Sequence, residues 1–141
     1  MHGISDGVRT FFDNYERAVN TTDTEVFSCL YADTFMFGGP HGVQSVKKED
    51  FLKVIPKRKG FFVSVGLRAT KLETLEETRL DDKYILVRAI WKMRFEKDPG
   101  KPIDDANSAT YILSLENNAL RIVFQIDHQD LTKKAQELGL A

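Results

Sequence analysis

Residues 31–44 read YADTFMFGGPHGVQ, and the chain changes character across this stretch. Phe35 and Phe37 alternate with Met36, which is the pattern of a short β-strand. The strand pattern ends in the segment GGPHG, which favours a turn and contains His41. Helical patterns come before this stretch and strand patterns follow it. It is therefore expected to lie where helices meet a sheet, a common position for a pocket.

Three helices are predicted within residues 1–56. The first has a stripe of apolar side chains spaced three or four residues apart, at Val8, Phe11, Phe12, Tyr15 and Val19. The sequence TDTE at residues 22–25 is a capping box and predicts the start of a second, short helix. Ser45 is expected to cap a third helix. That helix should end at or just before Pro56, because proline lacks an N–H donor and crowds the preceding turn.

From Phe61 onward, β-branched and aromatic residues alternate and predict strands at residues 62–78, 83–97, 108–116 and 120–130. Asp81-Asp82 and Asn117-Asn118 are suited to tight turns, so both flanking strand pairs are interpreted as hairpins. The odd-numbered residues from Ile85 to Phe95 share one strand face, which is expected to line a core or a cavity. Residues 96–106 are expected to form an exposed loop. The order of elements predicts an α+β fold, with helices on one face of a strongly bent antiparallel sheet.

The composition fits one domain over residues 1–141 and excludes several classes of partner. A net charge of -1 with well-mixed charges argues against nucleic acid or an anionic membrane surface as a partner. The sequence has neither a secretion signal nor an apolar run long enough to cross a bilayer, so a soluble, cytoplasmic protein is expected. The single cysteine, Cys29, excludes an intramolecular disulfide and is expected to be a buried core thiol.

Three short motifs resemble the opening of nuclear-transport-factor-2-like domains: YERAVN at residues 15–20, TTD at 21–23 and LYAD at 30–33. This superfamily includes the SnoaL-like polyketide cyclases, ketosteroid isomerase and scytalone dehydratase. The long strands and the chain length are similar as well. The resemblance implies a cone-shaped domain with the N-terminal helices on the concave face of the curved sheet. It also implies an apolar pocket at the wide end and a homodimer formed through the convex face.

The same resemblance implies roles for particular residues. Tyr15 matches the helix-1 tyrosine that supplies an oxyanion hydrogen bond in ketosteroid isomerase. The position of the isomerase's catalytic base is occupied here by Gly39, and the strand predicted at residues 108–116 contains no aspartate for the oxyanion hole. Ketosteroid isomerase activity is therefore not expected. SnoaL-like cyclases use a late-strand aspartate as an acid or base, which makes Asp127 the candidate catalytic carboxylate.

Each candidate site residue also has a purely structural interpretation. His41 is either an acid or base at a pocket rim or an exposed turn histidine. Asp127 is either a pocket carboxylate or a strand-end aspartate paired locally, and its neighbour His128 must point to the opposite sheet face. The candidate ligand-binding aromatic residues line a pocket or belong to the plain core: Tyr15, Phe35, Phe37, Trp91 and Tyr111.

No cofactor is predicted. Three scattered histidines and one cysteine do not form a metal-ligand pattern. The segment GGPHG lacks the Gly-Lys-Ser/Thr ending of a phosphate loop. The concentration of lysine and arginine at residues 47–59 is interpreted as a solvated helix end.

Two functions from different classes follow. The first is a domain that binds an apolar small molecule, with isomerase, cyclase or dehydratase chemistry by acid/base groups alone. The second is a non-catalytic dimeric scaffold or module that binds a protein partner. A pocket filled by Phe35, Phe37 and Trp91 favours the scaffold, whereas an open pocket with His41 or Asp127 directed inward favours the small molecule.

Overall fold

The computed structural model describes residues 4–140. The chain begins with two helices and a strand hairpin: α1 (Asp6–Thr21), α2 (Thr24–Leu30), β1 (Tyr31–Gly39) and β2 (Gly42–Lys47). A third helix and four long strands follow: α3 (Lys48–Ser64), β3 (Leu67–Arg79), β4 (Tyr84–Phe95), β5 (Ile103–Glu116) and β6 (Ala119–Asp127). A short helix, α4 (Leu131–Glu137), follows β6.

The strands form one curved sheet in the order β2-β1-β6-β5-β4-β3. Register shifts interrupt the β3–β4, β5–β6 and β1–β6 ladders, and such irregularities bend a sheet. The predicted α+β fold is confirmed. One detail differs from the prediction, because β1 and β6 pair in parallel while the other neighbours are antiparallel.

The core lies between α1 and the inner face of the sheet. Four of the five residues of the predicted α1 stripe are buried, and Val19 is half-buried. Phe12 of this stripe has its ring centroid 5.1 Å from that of Tyr111 on β5. The odd-numbered residues of β4 from Ile85 to Phe95 are all buried on the same inner face. Asn20 fastens the end of α1 to β3, since its amide both donates to and accepts from the backbone of Thr70.

Local turn chemistry explains how two hairpins and one helix start are formed. Asn117 and Asn118 have φ values of 51° and 62°, so the asparagine pair forms the expected turn with positive φ. In the β3–β4 turn, the Asp81 carboxylate instead accepts hydrogen bonds from the backbone N–H groups of Lys83 and Tyr84. The start of α2 is capped by Asp23 rather than by the predicted capping box.

The predicted limits of the third helix are wrong at both ends. Ser45 does not cap it, because Ser45 pairs with Met36 inside β2. The helix then continues through Pro56 to Ser64. Proline removes one hydrogen bond there, but Pro56 lies on the exposed side while the adjacent Ile55 is buried and holds the helix against the core.

Gly66 explains where α3 actually ends. Gly66 follows the C-cap residue Val65 and has a φ of 87°, and a Cβ at this position would lie 2.5 Å from the backbone nitrogen of Lys97. Only glycine fits such a close approach in this conformation. The sequence FF at residues 61–62 therefore belongs to α3, and β3 begins at Leu67 rather than at residue 62.

Two further expectations are corrected. β5 begins at Ile103 rather than at residue 108, which shortens the predicted loop to residues 96–102. Cys29 is exposed rather than buried, because α2 turns Phe27 and Leu30 toward the core and Cys29 away from it. Among residues 4–140, no helix combines the length and apolar character needed to cross a bilayer.

A pair of leucine substitutions tests the position of the core. Leu113→Ala removes a side chain with 0% exposure and is expected to lower the unfolding free energy by about 2–5 kcal/mol, because it leaves a cavity. Leu80→Ala makes the same change at a side chain with 51% exposure, where about 0.5 kcal/mol or less is expected. Urea denaturation measures both. Equal losses would place Leu113 outside the packed core.

Candidate functional site

A cavity of about 240 Å³ lies between the inner face of the sheet and the helices α1 and α3. Its apolar walls come from several elements and include Val19, Phe27, Phe37, Phe62, Leu67, Trp91 and Met93. Polar side chains gather in one region of the lining: Tyr15, Tyr31, Tyr111, Gln125 and Asp127. Other polar and cationic side chains line the cavity as well, among them Arg58, Lys59, Arg68, Asn107 and Gln129. The cavity thus combines apolar walls with polar groups, as small-molecule sites do.

A chain of buried hydrogen bonds connects α1 to Asp127. The hydroxyl groups of Tyr15 and Tyr31 lie 3.2 Å apart, and the Tyr31 hydroxyl donates to the side-chain oxygen of Gln125. The Gln125 amide in turn donates to Oδ1 of Asp127 over 3.1 Å. Within the described residues, Oδ2 of Asp127 has no hydrogen-bond partner. One carboxyl oxygen is therefore held in place while the other is free to meet a ligand.

The surroundings of Asp127 favour its protonated form. Burial raises the pKa of Asp127 above its ordinary value, against the opposing effects of the Gln125 hydrogen bond and the charges of Arg58 and His128. Burial also raises the pKa of the three tyrosine hydroxyls, at Tyr15, Tyr31 and Tyr111. These hydroxyls consequently remain protonated near neutral pH. They lie next to a carboxyl group, Asp127, whose pKa is higher than usual.

Trp91 and Tyr111 form part of the sheet side of the cavity. The indole Nε1 of Trp91 donates to the Tyr111 hydroxyl over 3.1 Å, which satisfies the only polar atom of the indole ring. The Tyr15 ring packs against both, with centroid distances of 5.3 Å to Trp91 and 5.6 Å to Tyr111. These rings hold one another in fixed positions around the polar group.

The structure brings most of the predicted site residues together. Five of them line the cavity: Tyr15, Phe37, Trp91, Tyr111 and Asp127. Phe35 does not line it, and packs instead in the core with its ring centroid 4.6 Å from that of Tyr31. His128 lies on the opposite sheet face from Asp127, as expected, and bonds to the hydroxyl of Thr110.

His41 also lies apart from the cavity. Its side chain is 82% exposed in the β1–β2 turn, and its Nε2 lies 2.7 Å from a carboxylate oxygen of Asp130 at the start of α4. It lines a neighbouring groove of about 670 Å³. The cavity and the groove adjoin, since both are lined by Phe37, Arg58, Phe62, Asp127, Gln129 and Leu131.

Sequence reasoning missed three residues of this region. Gln125 precedes Asp127 by two positions, so the strand period of two would have placed both on one face. The helical pattern of α2 extends over Tyr31, although Tyr31 opens β1. Arg58 belongs by its sequence to the basic, solvated helix end. Because the helix was predicted to end at Pro56, the sequence did not indicate that Arg58 and Phe62 lie one turn apart on α3.

The described residues do not contain a group of three or more His, Cys, Asp or Glu side chains placed to hold a metal ion. The site does offer acid/base and hydrogen-bonding groups. Asp127 can accept or donate a proton, and the Tyr111 hydroxyl can donate to a ligand oxygen on which negative charge develops.

Solved structures similar to this chain identify its fold, whereas no protein-family profile and no curated protein sequence matches it. A nuclear transport factor 2-like protein of unknown function from Shewanella oneidensis is 16% identical, with a TM-score of 0.70 over 88% of this chain and 98% of that one. The protein Aln2 from a Streptomyces species is 15% identical, with a TM-score of 0.73 over 92% and 93%. The beta subunit of benzoate 1,2-dioxygenase from Burkholderia mallei is 13% identical, with a TM-score of 0.68 over 94% and 95%. The chain therefore has the nuclear-transport-factor-2-like fold that its sequence predicted.

Replacing Asp127 tests whether burial disfavours its charge. A carboxyl group with a raised pKa in the folded protein destabilises the fold once it is ionised. This destabilisation grows as pH rises toward the folded pKa and is absent below the unfolded pKa of about 3.9, where the group is protonated in both states. Asp127→Asn is therefore expected to raise the Tm by roughly 2–4 °C at pH 7 and to have little effect below about pH 4. Thermal unfolding followed by circular dichroism at both pH values measures this.

The matched control is Asp82→Asn, in the exposed β3–β4 turn. We expect it to leave the Tm unchanged to within about 1 °C at either pH, as most surface substitutions do. A lower Tm for Asp127→Asn at pH 7 would contradict the account, because it would mean that the charged carboxylate stabilises the fold.

Proposed function

We propose that this domain binds an apolar small molecule in the cavity and that Asp127 exchanges a proton with it. The observation that carries the proposal is an open cavity with a partly buried carboxyl group at its edge, one oxygen of which is held by Gln125. Carboxyl groups with a raised pKa suit acid/base work near neutral pH. The reaction class that this supports is isomerase, cyclase or dehydratase chemistry on an organic substrate.

Two groups would act together in such a reaction. Asp127 would take a proton from a carbon or oxygen atom of the substrate, or return one to it, through its free oxygen. The Tyr111 hydroxyl, which accepts from Trp91 and keeps its own proton, would hydrogen-bond the substrate oxygen on which negative charge develops. The Tyr15 proton is used in the bond to Tyr31, because the Tyr31 proton goes to Gln125. Trp91 orients the Tyr111 hydroxyl before the ligand arrives, so little reorganisation is needed during the reaction.

The alternative, a scaffold without a ligand, has less support. It requires aromatic side chains to fill the pocket, yet Phe35 packs in the core while Phe37 and Trp91 border open space. The positions of Gln125 and Asp127 also favour a ligand site, since a filled core has no use for a carboxyl group that is costly to bury.

A cavity-filling substitution tests the proposal. Ala109 lines the cavity opposite Asp127 in the β5–β6 ladder, and Ala109→Leu is expected to occupy the space a ligand needs. We expect wild type to bind the neutral probe 2-naphthol, and Ala109→Leu to weaken this binding about tenfold or more. Isothermal titration calorimetry measures the affinity, and quenching of the single tryptophan, Trp91, reports binding at the cavity.

The control is Ala119→Leu, which adds the same volume at an exposed position outside the cavity lining. It should leave the affinity for 2-naphthol unchanged. Equal affinity in wild type and in Ala109→Leu would place the probe elsewhere, and no binding to wild type would argue against a small-molecule site.

We also propose that the outer sheet face joins two copies of this chain. Four apolar side chains form a row across neighbouring strands of this face: Met36, Phe124, Ile112 and Leu86. Cross-strand partners of opposite charge, such as Glu76 and Arg88, lie beside the row. An apolar row bordered by both signs of charge can pair with a copy of itself about a two-fold axis. This dimer is compatible with either function.

A charge placed in the row is expected to separate the copies. Leu86→Lys should reduce the molar mass measured by size-exclusion chromatography with light scattering from two chains to one, because it buries an unpaired charge in the interface. Leu80→Lys, in the exposed β3–β4 turn, is the matched control and should remain dimeric. A single-chain mass for wild type would refute this interface directly.

A further inference from the structure

Arg58 lies where the cavity and the groove meet. It is in the part of α3 that follows Pro56, and it lines both spaces together with Asp127. Its guanidinium carbon is 5.8 Å from the ring centroid of Phe62, a cation–π distance that steadies the side chain at this junction. Its charge also acts on Asp127 and Tyr15, so the guanidinium is close enough to influence groups inside the cavity.

The cations of this region outnumber the neighbouring carboxylates. Four cationic side chains line the two spaces, Lys57, Arg58, Lys59 and Arg68, against two carboxylates, Asp127 and Asp130. None of these cations takes part in an ion pair within residues 4–140. The local excess of positive charge contrasts with the net charge of -1 of the whole chain.

The two carboxylates offset only part of that excess, since they are two against four cations. Burial raises the pKa of Asp127, and its Oδ1 already accepts from Gln125. Asp130 is occupied by His41 and by the backbone N–H of Lys133, whose hydrogen bonds hold the pKa of Asp130 below its usual range. Arg58 is thus left facing the junction with its hydrogen-bond donors available to a ligand. A planar guanidinium binds a carboxylate with two parallel hydrogen bonds, which an ammonium group cannot do.

We infer that the natural ligand is an amphiphilic carboxylate, with its apolar body in the cavity and its carboxylate bound by Arg58 at the junction with the groove. This rests on the proposed function, since it requires the cavity to hold a small molecule. The apolar body would lie against Trp91 and Phe62. Anchoring one end at Arg58 sets the orientation of the ligand beside Asp127, which lines the same junction.

A matched pair of probes tests this inference. Naphthalene-2-carboxylate and naphthalene-2-carboxamide share one apolar body and differ in charge. Isothermal titration calorimetry of the wild-type protein should give an affinity about tenfold or more higher for the carboxylate, because charge-assisted hydrogen bonds are stronger than neutral ones. Arg58→Gln should remove this preference while changing the carboxamide affinity less than about threefold.

Two further variants make the assignment specific. Arg9→Gln makes the same substitution on the exposed face of α1, outside the linings of the cavity and the groove, and should leave both affinities unchanged. Arg58→Lys keeps the charge but loses the planar fork, so its carboxylate affinity should fall between those of wild type and Arg58→Gln. Circular dichroism of each variant checks that the fold is retained.

The possible results distinguish the carboxylate inference from the proposed small-molecule binding. Equal wild-type affinity for both probes would overturn the carboxylate inference and leave the cavity as a small-molecule site. A carboxylate preference that survives in Arg58→Gln would overturn the role of Arg58. Failure of wild type to bind either probe would overturn the proposed function and the inference together.

Discussion

The packing of α1 against β4 and β5 is the contact on which the rest of this structure depends. Phe12 and Tyr15 meet Trp91 and Tyr111 ring to ring, and these large side chains set the distance between helix and sheet. Aromatic rings fill such a space well only in a few relative orientations. The space beyond them, toward α3, remains open and forms the cavity. The same contact therefore closes the core and creates the site.

Using tyrosine in that contact has a further consequence. A hydroxyl buried among aromatic rings must find a hydrogen-bond partner, because an unsatisfied polar group in the interior is costly. Tyr15 hydrogen-bonds to Tyr31, Tyr31 donates to Gln125, and the amide of Gln125 donates to Asp127. Burying a carboxyl group at the end of such a chain costs stability, and proteins commonly accept that cost at functional sites. The cavity and the network thus support the same functional proposal.

Features set by local physics could be predicted from the sequence. The apolar spacing of α1, the alternation of β4 and the Asn117-Asn118 turn each depend on neighbours within a few residues, and the structure has all three. β2 could not be predicted in this way, since all its residues except the half-buried Val46 are exposed and its pairing with β1 is what makes it a strand. The end of α3 was misplaced because a local rule for Pro56 is outweighed by the burial of Ile55 and by the close backbone approach at Gly66.

The candidate site was harder to predict than the fold. Alternation indicates which strand residues share a face, but a face of a curved sheet contains both core and cavity positions. Phe35 and Phe37 share a strand period, yet Phe35 packs in the core and Phe37 borders the cavity. Arg58 depends on a helix that continues past Pro56, and its place at the junction follows from tertiary packing alone.

Native mass spectrometry of the freshly purified protein shows whether the cavity binds a small molecule. We expect a native mass above the summed mass of the polypeptide chains in the complex, with the extra mass recovered in an organic extract as a small organic compound. A native mass equal to the summed polypeptide mass, together with a clean extract and no uptake of apolar carboxylates added in excess, would show that the cavity is not a small-molecule site.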